Sequence, residues 1–167
     1  MPARFPRKSS SSKLKARAAS HKKPAILVVD DDLDARTMYG LYLKSMGCIV
    51  YTATDGAGAI KQANALNPDL IVLDLAMPHV DGWQAAERLR RSPATRSIPI
   101  IALTAIPGAR ESARLSGCDA FMSKPCLPQL LWCEVRLLLG IDIKRTAPRD
   151  DADDDDDGPG PRKAVIS

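Results

Sequence analysis

Aromatic side chains are scarce in this sequence: two Trp, three Tyr and two Phe, 4% of 167 residues. A core built from it must be assembled mostly from Leu, Ile, Val and Ala. Long apolar runs are missing too. No stretch approaches the ~18 consecutive apolar residues that crossing a bilayer requires, which excludes a membrane-spanning helix. The charged N-terminus has no apolar h-region, so it is no secretory signal. The four cysteines, Cys48, Cys118, Cys126 and Cys133, form no C-x-x-C pair and show no metal-ligand spacing with His21 or His79. That leaves small buried fillers in a reducing, cytoplasmic compartment as the expectation, rather than a zinc site or a disulfide framework.

What is present is ordinary for a globular chain, 45% hydrophobic and 26% charged, and its length suits one domain with tails. The net charge of +4 is unevenly placed. Residues 1–23 hold eight Lys or Arg and no acid, whereas residues 24–143 hold eleven bases against thirteen acids. The leading stretch, with Pro, a four-Ser run and scattered bases, cannot bury enough surface to offset its ordering entropy, so 1–23 is expected to be a disordered basic tail. Residues 141–167, with "RDDADDDDDGPGPRK", are expected to be a disordered acidic tail containing Gly and Pro. The body lies between, at 24–140.

Within that body the apolar period alternates. "AILVV" (25–29), "CIVYTA" (48–53), "LIVLDL" (70–75), "IPIIALT" (98–104) and "AFMS" (120–123) read as strands, most of them continuous apolar runs of the kind a sheet covered on both faces requires. Helical spacing follows each: Met38, Leu41, Tyr42 and Met46; Ala59, Ala63 and Leu66, stopped by Asn67-Pro68; residues 83–91; residues 109–117; and Leu131, Val135 and Leu138, started at Pro128 and ended at Gly140. Five such alternations predict an α/β domain with a parallel sheet, right-handed crossovers and helices on both faces. In such a sheet, function gathers beyond the carboxyl ends of the strands.

Those ends carry Asp30-Asp31 after the first strand, Asp74 after the third, Thr104 after the fourth and Lys124-Pro125 after the fifth. Three neighbouring carboxylates cannot all stay ionised cheaply. A hard divalent cation such as Mg²⁺ relieves them, and Lys124 and Thr104 suit the oxygens of a small anion. The set reads as a phosphoryl-transfer site with a carboxylate nucleophile and an electrostatic clamp. Asp32 is expected to cap the first helix and Asp34 to sit in its first turn. A one-residue slip, pairing Asp31 with Asp32, stays open. His79 and Trp83 lie close to Asp74 in sequence; an exposed loop residue and a packing residue are the expected roles.

The segments "ILVVDDD", "LIVLDLAMPHVDG", "IIALTA" and "GCDAFMSKP" together resemble the receiver domain of two-component response regulators over residues 24–140. The resemblance implies a flavodoxin-like (βα)5 fold with a doubly wound five-stranded parallel sheet in the order 2-1-3-4-5. It implies that Asp74 accepts a phosphoryl group from a histidine kinase or phosphotransfer protein. It assigns Mg²⁺ to Asp30, Asp31, Asp74 and the backbone carbonyl of Ala76, the phosphoryl contacts to Thr104 and Lys124, and the switch to Thr104 and Phe121. A cis peptide at Lys124-Pro125 is implied as well. Phe121, lacking the hydroxyl of Tyr, would turn inward by apolar burial alone, or else be a permanently buried core residue. Ala76 and Ile106 cannot orient an attacking water by hydrogen bond, so the phosphorylated state is expected to last minutes or longer.

About two dozen residues follow the body, too few for a second core, so a stand-alone regulator is expected, signalling by a change of surface to an effector protein, as a monomer or a phosphorylation-dependent dimer. It would not be an enzyme beyond assisting its own phosphorylation and dephosphorylation. Three rivals stand beside this: a phosphorelay intermediate that passes the group to a histidine phosphotransfer protein, a receiver gating a nucleic-acid-binding basic arm, and an aspartate-based phosphohydrolase.

Overall fold

The computed structural model describes residues 3–4, 23–77 and 82–141. Strands β1 (Ala3–Arg4), β2 (Ala25–Val29), β3 (Ile49–Ala53), β4 (Leu70–Leu73), β5 (Ile100–Thr104) and β6 (Ala120–Ser123) form one sheet in the order β1-β6-β5-β4-β2-β3. The five from β2 onward are parallel, and their order is the expected 2-1-3-4-5 of a flavodoxin-like fold. Helices α1 (Leu33–Ser45), α2 (Gly56–Leu66), α3 (Gly82–Arg91), α4 (Arg110–Leu115) and α5 (Pro128–Leu139) follow β2 to β6 in turn.

Both faces of the central strands are buried, which accounts for their unbroken apolar runs. Leu27, Val29, Ile71, Leu73, Ile100 and Ala102 face one layer, where Ala59 and Ala63 of α2 and Ala85, Ala86 and Leu89 of α3 pack closely. Ile26, Val28, Leu70, Val72, Ile101 and Leu103 face the other, where Tyr39 and Leu43 of α1 meet Leu131, Trp132 and Val135 of α5. Two of the few aromatics are thus spent on this second layer. Cys48 and Cys118 are buried fillers, all four cysteines are free, and burial pushes the Cys48 and Cys118 thiols up to about 12.

The helix boundaries follow local chemistry. Asp32 caps α1, its side chain accepting from the Asp34 amide at 2.9 Å, and Asp55 caps α2 by accepting from Gly58 at 2.7 Å. Asn67 closes α2 in a left-handed conformation (φ 44°), and Gly140 closes α5 at φ 68°. Pro128 opens α5 as expected.

Of the leading arm, for which a disordered tail over 1–23 is the expectation, the structure describes Ala3–Arg4 as a strand: they pair antiparallel with β6, Ala3 opposite Phe121 and Arg4 opposite Ala120. The composition argument considered only what the arm could bury by itself; an open strand edge supplies backbone partners without any apolar surface. Residues 5–22 of the arm, and the acidic stretch beyond Ile141, lie outside the described residues.

Candidate functional site

The carboxyl ends of β2, β4, β5 and β6 deliver Asp30, Asp74, Thr104 and Lys124 to one mouth of the sheet. Parallel register does the positioning: Val29 pairs with Leu73, Leu73 with Ala102, and Thr104 with Ser123. Backbone bonds carry the alignment one residue further, from the Asp74 amide to the Val29 carbonyl (2.9 Å) and from the Lys124 amide to the Thr104 carbonyl (2.9 Å).

Asp30 and Asp74 are held in the same manner. Each carboxylate fixes one oxygen on the amide two residues ahead, Asp30 Oδ1 on Asp32 at 3.0 Å and Asp74 Oδ1 on Ala76 at 2.8 Å. Each turns its other oxygen to Lys124, whose Nζ lies 2.6 Å from Asp30 Oδ2 and 2.7 Å from Asp74 Oδ2. Asp30 and Asp74 are buried, as is Thr104, which has no exposed surface, while Asp31 is exposed. Desolvation by burial raises the Asp30 pKa above its ordinary 3.8, against the hydrogen bonds from Lys124 and the Asp32 amide; the neighbouring Asp74 charge raises it further. Burial also disfavours the Lys124 ammonium, but its bonds to Asp30 and Asp74 outweigh that and hold its pKa above 10.5.

One ammonium against three carboxylates leaves this mouth short of positive charge. Asp30, Asp31 and Asp74 each offer an oxygen, all within 4.8 Å of one another. Opposed ligands of a single Mg²⁺ stand about 4.2 Å apart at its ~2.1 Å bond length, so small side-chain adjustments bring these oxygens onto one ion. The donor set, hard and anionic, fits Mg²⁺. Asp32, the other partner the sequence leaves open for Asp31, is engaged as the α1 cap, and the converging oxygens are those of Asp30, Asp31 and Asp74.

The other expected residues fall as follows. Ala76 is exposed beside Asp74, and the Lys124–Pro125 peptide is cis. The Thr104 hydroxyl accepts from the Ile106 amide at 3.4 Å. Phe121 is half-buried on β6 and packs with Trp83 against the α2–α3 layer, outside the fully buried core. His79 and Asp81 lie outside the described residues.

Two further residues shape the site without a signal that sequence reasoning had used. Arg36 on α1 reaches back to donate from Nη1 to the carbonyls of Asp30 (2.8 Å) and Asp31 (3.0 Å), bracing the turn that carries both carboxylates. Gly82, first residue of α3, lies so close to the acceptor backbone that an added Cβ would sit 2.2 Å from the Asp74 carbonyl oxygen. Any side chain there would push α3 away or displace Asp74. Beside the mouth, a groove of about 630 Å³ opens between α1 and the turn after β6, with Met38, Tyr39, Lys124, Cys126 and Leu127 in its walls. The Tyr39 hydroxyl donates to the Cys126 carbonyl at 3.0 Å across its floor.

Comparison with known proteins agrees with this geometry. The family model described as "Response regulator receiver domain" matches residues 26–136. The chain is 37% identical over 118 residues to the DNA-binding dual master transcriptional regulator RpaA of Synechocystis sp., a match covering 70% of this chain and 49%, about half, of that protein. It is 33% identical over 102 residues to Protein PilG of Pseudomonas aeruginosa, covering 60% of this chain and 76% of that one. Among solved structures, it is similar to the receiver domain of a sensor histidine kinase from Pseudomonas aeruginosa with a magnesium ion coordinated in the active-site cleft. The TM-score there is 0.67 at 30% identity, over 71% of this chain and 99% of that one.

Proposed function

The chain belongs to the response regulator receiver family, and from that premise we propose that it is a Mg²⁺-dependent phosphoacceptor in two-component signalling, with Asp74 as the acceptor and a histidine kinase or phosphotransfer protein as the donor. The observation that carries this reading is the position of Asp74: buried at a strand end, one oxygen fixed by the Ala76 amide and the other on Lys124, with Asp30 and Asp31 within ligand distance. An Asp74 oxygen forms the new O–P bond as the donor's P–N bond breaks. Lys124, already resting on Asp74, is placed to hold the incoming phosphoryl oxygens, and the Thr104 hydroxyl ends the neighbouring strand as a second donor. Asp30, Asp31, Asp74 and the Ala76 carbonyl would hold the ion, which when bound supplies the charge neutralisation that lets an anion approach. Arg36 keeps the Asp30–Asp31 turn in place.

The protein assists only its own phosphorylation and dephosphorylation, in a cytoplasmic setting, and signals by a change of surface read by an effector protein. The test is incubation with beryllofluoride or acetyl phosphate and Mg²⁺, wild type against Asp74→Asn. The expected result is an adduct in the wild type alone; an adduct that survives loss of Asp74 places the acceptor elsewhere.

A further inference from the structure

A sheet exposes unpaired backbone groups at its edge strands, and proteins cover or blunt them. Here β3 forms one edge. At the other, β6 would be the last strand but for Ala3–Arg4, which lie against it in the only antiparallel pairing of the sheet among the described residues. The pairing has a direction. From Ala3 opposite Phe121 to Arg4 opposite Ala120, the chain runs toward the amino end of β6, the end of the sheet at which β2 begins. From Arg4 to Ala25 the sheet order leaves β6, β5 and β4 between β1 and β2, with twenty intervening residues to span them. Four inter-strand spacings of ~4.8 Å make roughly 19 Å, and an extended chain of that many residues spans about 65 Å. The pairing therefore closes within one chain without strain.

We propose that the outer edge of β6 is a strand-docking surface occupied in the resting protein by the chain's own N-terminus, and that chemistry at Asp74 releases this latch. Two residue pairs make a ladder with no slack, set against the closure of a long loop whose entropy cost grows only slowly with length. Docked and released forms thus stay close in free energy, which a latch requires. The far end of β6 runs directly into Lys124, whose Nζ bridges Asp30 and Asp74 and whose amide is bonded to Thr104. A phosphoryl group on Asp74 competes with both carboxylates for that ammonium. Movement at Lys124 reaches Phe121, the partner of Ala3, only three residues away. A long ladder would absorb such a shift; a two-residue one loses its register. Release bares the β6 edge for an extended backbone and frees a segment carrying eight Lys or Arg and no acid. The latch stands on the strand pairing alone, whereas its coupling to Asp74 rests on the phosphoacceptor reading.

The test is amide hydrogen exchange on the full chain, comparing wild type with the double variant Ala3→Pro/Arg4→Pro, which removes the donors of β1 and touches nothing else described. Exchange over Ala120–Ser123 is expected to quicken several-fold in the variant, with Ala25–Val29 and the melting temperature unchanged. Mg²⁺ with beryllofluoride is expected to quicken the same amides in wild type and not in Asp74→Asn. Equal exchange over Ala120–Ser123 in wild type and double variant overturns the latch. Protection in wild type that falls on dilution also overturns it, since the occupant is then a second copy. An adduct on Asp74 that leaves wild-type β6 exchange unaltered overturns the coupling. Absence of any adduct overturns the phosphoacceptor reading, and the coupling with it, while the proline comparison still reports the latch.

Discussion

Replacing Lys124 by Met removes the ammonium that bridges the two buried carboxylates, keeps most of the stem volume, and measures what the acidic mouth costs without it. Lys124 donates to Asp30 at 2.6 Å and to Asp74 at 2.7 Å, with the three side chains 19%, 3% and 6% exposed. Hydrogen bonds to charged groups contribute about 1.5–3 kcal/mol each, and orphaning a buried charge costs about 3–5 kcal/mol. The two figures overlap, so the variant is expected to lose about 3–5 kcal/mol near neutral pH. For a domain of this size that lowers Tm by roughly 10–20 °C.

The pH dependence carries the sharper test. In wild type, the Asp30 pKa is raised above 3.8 by burial first, so the folded state keeps that proton longer than the unfolded chain, and ionising it subtracts stability as pH rises through the folded value. Lys124, held above 10.5, contributes fully below 10.5 and loses its contribution as pH rises through its folded value. Wild type is therefore stabilised by the bridge across the whole range from about pH 5 to 8. Without the ammonium, Asp30 loses the bond that lowers its pKa and binds a proton more readily still, so the deficit of Lys124→Met grows from about pH 5 to about pH 7.5. Added Mg²⁺ is expected to raise the Tm of the variant more than that of wild type, since it restores a cation to the same oxygens. Thermal unfolding followed by circular dichroism at both pH values decides the matter. A shift under about 3 °C at neutral pH, or a deficit as large in acid as at neutrality, refutes the charge accounting.

Three further outcomes follow from the same coordinates. Asp32→Ala removes the α1 cap and is expected to cost about 1 kcal/mol while leaving the Mg²⁺ dissociation constant unchanged; a large loss of metal affinity in a titration would return Asp32 to the ligand set. Asp119→Ala takes away one of the acceptors of Arg90 (2.7 Å), which also donates to the Gly117, Arg96 and Ile98 carbonyls, and the carboxylate that accepts from the Ile100 amide (2.7 Å), leaving a buried donor. About 3–5 kcal/mol should be lost in denaturant unfolding, with beryllofluoride binding intact in the folded fraction. Ala76 and Ile106 offer no side-chain hydrogen bond to a water near Asp74, so the phosphorylated form is expected to persist for minutes; decay within seconds in Mg²⁺ buffer, read by phosphate-affinity electrophoresis, contradicts this.

What the sequence made legible was whatever rests on side chains acting in their own element. Five apolar runs became β2 to β6, the three central ones buried on both faces, and Asn67, Pro128 and Gly140 punctuated helices where their backbone preferences require. Asp30, Asp74, Thr104 and Lys124 could be grouped before any coordinates, because a parallel sheet brings all its carboxyl ends to one mouth. The features that escaped act through backbone contacts remote in the chain. A single Arg on a helix says nothing of the two carbonyls that Arg36 holds. Gly82 reads as a helix start, while its indispensable property is the approach to the Asp74 carbonyl. The strand at Ala3–Arg4 has no apolar pattern, since its partner is the backbone of a strand more than a hundred residues away.

The shortage of positive charge at the mouth also links the structural role of Lys124 to the one proposed for it in phosphoryl transfer. Burial raises the Asp30 pKa above its ordinary value. Lys124 opposes that through its bond to Asp30, and its second bond, to Asp74, occupies an oxygen that the proposed phosphoryl transfer requires. One ammonium faces three carboxylates here, since Asp31 stands exposed within 4.8 Å of the other two. Asp30, Asp31 and Asp74 would hold a divalent ion, whose charge, when bound, would weaken the hold of both carboxylates on the ammonium and let Lys124 turn to the phosphoryl oxygens. A fully neutralised mouth, with a second lysine in place of Asp31, would be more stable at rest and would have no reason to bind the ion. Asp31→Lys should therefore raise the apo Tm and abolish the Mg²⁺-dependent gain in Tm together. A variant that is stabilised yet keeps that gain would separate the two properties and defeat this account.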